Sequence, residues 1–143
     1  MIKHVDYEFR SGKRIIKGLY PELYQEICSI VEAAECGFNK AILESFFIKA
    51  GWLQGCRSDF HKSGLAVMIE LDNKEKMYSD IISLMYIHQE NRIEAGIIIS
   101  AFETGRTRDT LKLNVSLFDV QNFFYGERAT SIVTVPIWYI GIE

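Results

Sequence analysis

The stretch from Leu65 to Phe102 constrains this chain more than any other feature. Leu65, Val67, Ile69 and Leu71 alternate with Ala66, Met68 and Glu70, the period of two that turns successive side chains to opposite faces of a strand. Residues 75–90 switch to helical spacing through Met77, Ile81, Leu84 and Met85. AGIIISAF, residues 95–102, is a nearly unbroken apolar run of the kind found in a central strand covered on both faces. Strand, helix and strand in that order predict a βαβ crossover over about 65–102, with parallel strands and a right-handed connection. The class is then α/β or α+β with a mixed sheet.

The remaining segments fit around that unit. Pro21 sits where a helix tolerates proline, and Leu23, Ile27, Ile30, Val31 and Ala34 predict an amphipathic helix over 21–36. Asn39 is placed to cap a second helix, 40–50, buried through Ile42, Phe46 and Phe47 and stopped by Gly51. GRTRDT, 105–110, reads as a polar loop and SLFDVQNFFYG, 116–126, as another helix. Residues 131–142 read as a final strand, with Pro136 pointing to an edge or bulge position. Nothing repeats and no linker divides the chain. At 143 residues and 48% hydrophobic, it predicts a single domain, 1–143, with a proper core.

Several function classes fall away. Three cysteines, Cys28, Cys36 and Cys56, form no C-x-x-C pair and point to a reducing cytoplasm rather than a disulfide scaffold. The first residues lack the apolar core of a signal peptide, and no apolar run approaches the roughly 18 residues of a membrane span. A cytoplasmic protein without membrane attachment is expected. A net charge of −3 argues against a coat of positive potential, although the first twenty residues carry a local +3. There is no phosphate-cradling glycine loop, G-x-S-x-G elbow or H-E-x-x-H. His4, His61 and His88 are scattered and read as surface or packing residues.

SDFHKSGLAVMIELDNKEK, 58–76, carries more chemistry. Asp59 precedes the strand that bears Glu70, and Asp72, Asn73 and Lys74 follow at its end. Two carboxylates meeting at a strand terminus can hold Mg²⁺ with several waters, one of them aimed at a phosphodiester. A lysine there can balance charge developing on the phosphate. Spacing alone points more to a charged strand end followed by a helix capped by Asp72 or Asn73.

The same run resembles the BglII/BstYI group of type II restriction endonucleases, members of the PD-(D/E)xK nuclease fold. These carry an aspartate, eight residues, an acid, one spacer, and Glu or Gln; Asp59 to Glu75 match without a gap. Asn39 to Gly51-Trp52 resembles their helix-then-GW element. Ile93-Glu94-Ala95-Gly96-Ile97-Ile98-Ile99 resembles their I-D-x-G-V-I-I strand, and Pro136 to Ile142 their closing P-x-x-x-I-G-I. The likeness implies a restriction-endonuclease-like mixed β-sheet flanked by helices. It implies a Mg²⁺-dependent (or Mn²⁺-dependent) deoxyribonuclease, a double-stranded DNA partner and a homodimer.

Two departures qualify the likeness. Met68 stands where the family has its central acid, and a neutral thioether cannot replace a carboxylate around a hard cation. Three outcomes follow: Asp59 and Glu70 bind metal with help from Glu44; cleavage is impaired; or the domain binds DNA or protein without cutting. Period two puts Met68 on the same strand face as Glu70. The chain is also shorter than the roughly 200 residues that the resemblance leads one to expect, so its DNA-reading segments must be short. The catalytic candidates are Asp59, Glu70 and Lys74, with Asp59, Glu70 and Glu44 for metal. Arg57, Lys62, Arg106 and Arg108 are the candidates for DNA contacts.

Overall fold

The computed structural model describes residues 4–34, 40–55, 57–70, 74–103, 115–116 and 133–142. In chain order the elements are β1 (His4–Phe9), α1 (Gly12–Leu19), α2 (Pro21–Ala33), α3 (Lys40–Lys49) and β2 (Phe60–Lys62). Then come β3 (Leu65–Glu70), α4 (Lys74–Gln89), β4 (Ala95–Glu103), β5 (Val115–Ser116) and β6 (Ile137–Ile142). The sheet runs β1-β6-β4-β3-β2, with β5 on β4. β3, β4 and β6 are parallel, while β1 and β2 pair antiparallel at the two ends. The sheet is therefore mixed, and α4 connects two parallel neighbours as the periodicity predicts.

Strand alternation decides which helix covers which face. Leu65, Val67 and Ile69 join Ile97, Ile99, Trp138 and Ile140 in one buried cluster. Ile16 of α1, Ile27 and Val31 of α2, and Leu43 and Phe47 of α3 complete it. Ala66 and Met68 join Ile98, Ile137 and Tyr139 on the opposite face, where Met77, Ile81, Leu84 and Ile87 of α4 cover them. β4 lies between the two layers, and Ile97, Ile98 and Ile99 are all fully buried, so its unbroken apolar run is the pattern of a doubly covered strand.

Two glycines permit close approach. A Cβ on Gly96 would stand 2.7 Å from Leu84 Cδ1, so the glycine lets α4 press closely onto β4 at Leu84. A Cβ on Gly12 would collide with the backbone of Ile137, so α1 begins directly against β6.

Several expectations need correction. The N-terminal segment, read only for its local +3, supplies β1 and α1 over His4–Phe9 and Gly12–Leu19. α3 buries Leu43 and Phe47, while Ile42 is 49% exposed and Phe46 only partly buried. Its inward face is thus rotated by one residue at Ile42, because Ile42-Leu43 and Phe46-Phe47 offer two apolar stripes of nearly equal quality. Pro136 marks neither an edge nor a bulge: β6 starts one residue later and lies between β1 and β4. The Pro136 carbonyl accepts the Gly96 N–H at 2.9 Å, leaving the missing proline donor outside the ladder. The helix expected over 116–126 lies outside the described residues except for Ser116, which ends β5. The 105–110 loop, Leu71 and Asn39 also lie outside them.

Candidate functional site

β2 and β3 form a hairpin through Ser63-Gly64, with Phe60 opposite Val67, His61 opposite Ala66 and Lys62 opposite Leu65. One step beyond those pairs, Asp59 comes to stand beside Met68. The Asp59 N–H donates to the Val67 carbonyl at 3.1 Å, and Asp59 Oδ2 accepts the Ile69 N–H at 2.7 Å. The half-buried carboxylate therefore brackets Met68 and satisfies a β3 donor beyond the end of the short strand β2. Its eight-residue separation from Met68 follows from a strand, a two-residue turn and a returning strand.

Met68 is 5% exposed and packs in the apolar cluster beneath α4 with Met77 and Ile81. Glu70 ends β3 two residues further on, in register with Ser100, and Lys74 opens α4. The side chains of Glu70 and Lys74 lie outside the described residues, as do Arg106 and Arg108 entirely. Glu44 is half-buried on α3, next to Leu43, which enters the cluster on the other face of the sheet. Among the described residues, no three His, Cys, Asp or Glu side chains converge on a common ion position. The hydroxyl of Ser100 is hydrogen-bonded to that of Tyr139, and both are buried.

The basic candidates are held differently. Lys62 Nζ donates to the Ala50 carbonyl at 2.8 Å and lies 3.3 Å from Glu26 Oε2. Glu26 also accepts the Trp52 indole N–H at 2.7 Å. This network ties α2, the end of α3 and β2 together, so the Lys62 ammonium is turned toward protein groups. Arg57 is exposed, pairs with Glu90 at 3.0 Å and lies over the Tyr86 ring at 5.1 Å. Cys28 is no activated nucleophile: burial pushes its thiol up, and a thiol so shifted is less ionised, not more.

A cleft of about 140 Å³ opens beside β2 on the α4 face. Arg57, Ser58, His61, Ser63 and Arg92 line it, over a floor that includes Ala66 and Ile87. Of these, sequence reasoning singled out only Arg57 for binding. Ser58 and Ser63 flank β2, but Arg92 arrives by way of the crossover, and no local spacing signals that it would join them.

No protein-family model and no curated protein sequence matches the chain. Among solved structures, it is similar to restriction endonuclease BglII complexed with a DNA 16-mer, with a TM-score of 0.72 and 16% sequence identity. The match covers 99% of this chain and 77% of that one. Together with the mixed sheet and its flanking helices, this shows a restriction-endonuclease-like fold.

Proposed function

We propose that this chain is a DNA endonuclease of restriction type, akin to the BglII/BstYI group, that acts on double-stranded DNA as a homodimer with Mg²⁺ or Mn²⁺. The observation that carries the reading is the β2–β3 pairing, which sets the Asp59 carboxylate beside Met68, two residues before Glu70. The similar BglII structure holds a DNA 16-mer. A two-fold dimer suits a symmetric duplex site.

The described donors fit a hard divalent ion in part. Asp59 offers carboxylate oxygens, and its bond from the Ile69 N–H leaves lone pairs for a further partner. Met68 offers sulfur, which such an ion does not select. Asp59 and Glu70 would hold the ion, with Glu44 as a supplementary carboxylate and Lys74 balancing charge on the phosphate. When bound, the ion supplies Lewis acidity at the phosphate and a more acidic water. The bond from Ile69 restrains the Asp59 carboxylate against rotation, so its free oxygen keeps one direction.

Burial of Met68 favours a second reading, in which the domain binds DNA and no longer cuts. Supercoiled plasmid separates the two. Nicking or linearisation that needs Mg²⁺ or Mn²⁺ and disappears in Asp59→Asn supports the nuclease. The asparagine keeps an oxygen for the Ile69 N–H and removes only the charge. No cleavage at micromolar protein, with cleavage appearing in Met68→Glu, establishes the second reading.

A further inference from the structure

We infer that the cleft beside β2 is a binding site for one phosphate group, with Arg57 and Arg92 as its charged clamp. Both guanidiniums share a single carboxylate: Glu90 lies 3.0 Å from Arg57 Nη1 and 3.7 Å from Arg92 Nη1. Glu90 is not part of the lining, so it holds the two arginines together and leaves an excess positive charge at the cleft. Each guanidinium has five donors, more than one shared carboxylate can occupy. The Tyr86 ring lies 5.1 Å from the Arg57 guanidinium carbon and restrains that side chain.

A hydroxyl and an imidazole complete an oxyanion site. Ser58 Oγ and His61 Cδ2 each lie 3.1 Å from the point where a Gly55 Cβ would stand, so hydroxyl and imidazole converge on one wall. Ser63 lines the cleft with φ +56°, and Asn91, immediately before Arg92, has φ +58°. Both are turn positions: Ser63 lies in the two-residue β2–β3 turn, and Asn91 caps the end of α4, where the Arg92 N–H donates to the Ile87 carbonyl and directs Arg92 to the cleft. The apolar floor of Ala66, Ile87 and Ile93 lowers the local dielectric and strengthens charge-assisted bonds above it.

Size selects the ligand. At about 140 Å³ the cleft is less than half the roughly 300 Å³ at which pockets for drug-sized ligands begin, so it admits a small oxyanion and not a whole nucleotide. Ala66 lies two residues before Met68 on the same strand face, about 7 Å along β3. If Asp59 marks the cleavage point, as proposed above, the cleft seats a neighbouring phosphate of the same DNA strand.

Calorimetric titration of the full chain with inorganic phosphate tests the site independently of any cleavage. Millimolar binding is expected, weakened about tenfold or more by Arg92→Gln and by Arg57→Gln, since each removes charge-assisted hydrogen bonds. Arg14→Gln, on α1, leaves it unchanged. No heat at tens of millimolar phosphate, or equal binding in both cleft variants while circular dichroism shows them folded, overturns the site. Duplex DNA binding forms the second arm. Arg92→Gln is expected to weaken it and lower the log–log salt slope by about one. Unchanged duplex affinity with weakened phosphate binding overturns the backbone-phosphate placement and assigns the cleft to free or terminal phosphate.

Discussion

Alternate residues of β3 face two different environments. Leu65, Val67 and Ile69 enter a layer covered by α1, α2 and α3 and filled with aromatic rings. Phe47 stacks on Phe60 at 5.4 Å and meets Trp52 edge-on at 5.3 Å. Ala66 and Met68 face one helix, α4, with the small Ala66 at the floor of a cleft and Met68 bracketed by Asp59. The first face is filled mainly by aromatic rings and branched aliphatic groups. The second packs Met68 among Met77, Ile81 and Tyr139, with polar groups, Asp59 and the arginine cleft, at its margin. The difference puts the stacked rings on one side of the sheet and the Asp59–Met68 pair and the arginine cleft on the other.

The largest effect should come from the first face. Phe47→Ala removes a fully buried ring with two aromatic partners and is expected to cost about 3–5 kcal/mol in denaturant unfolding. A loss below about 1 kcal/mol would mean that α3 is not a structural cover, and the contrast between the faces would break.

Met68 sharpens the contrast from the other side. Met68→Leu conserves volume and polarity and should cost under about 1.5 kcal/mol. Met68→Glu puts a carboxylate beneath Met77 and Ile81 and should cost about 3 kcal/mol without metal, as an unpaired buried charge does. Saturating Mn²⁺ should return part of that loss, because an ion bound only by the folded state stabilises it. Unfolding curves with and without Mn²⁺ read this directly. A glutamate variant indifferent to Mn²⁺ would argue that the acids beside β3 do not share an ion.

The same contrast explains what was legible in the sequence. β3, α4 and β4 were, because periods of 2 and 3.6 are direct consequences of backbone geometry and these elements have strongly apolar faces. The hairpin that sets Asp59 beside Met68 was not, because β2 is only three residues long and mixes Phe60 with His61 and Lys62. Nor was β1: its partner β6 lies about 130 residues away, with Tyr7 opposite Tyr139, and His4–Phe9 mixes apolar and charged groups. α1 is eight residues long with Gly12 and Ile16 buried, too little pattern to register. The phase of α3 was ambiguous because paired apolar residues permit either face. The arginine cleft was hidden because Arg57 and Arg92 meet only after the crossover folds.

The smallest expected effect lies at the rim of the first face. Lys13 Nζ sits 2.8 Å from Asp6 Oδ2 and 5.8 Å from the Trp138 ring centre. Hydrogen bonding to Asp6 is the main cause that holds the Lys13 ammonium above its ordinary value of 10.5. A raised folded-state value means the charged form contributes stability below pH 10.5, and the contribution fades as pH rises through the folded value. Both partners are partly exposed, so Lys13→Gln should cost under about 1 kcal/mol near neutral pH. The gap between wild type and variant should close in alkaline solution. A gap that stays constant there would assign the effect to the lysine stem packing on Trp138 instead of its charge. A gap rivalling that of Phe47→Ala would show that the first face is held by its rim as much as by its rings.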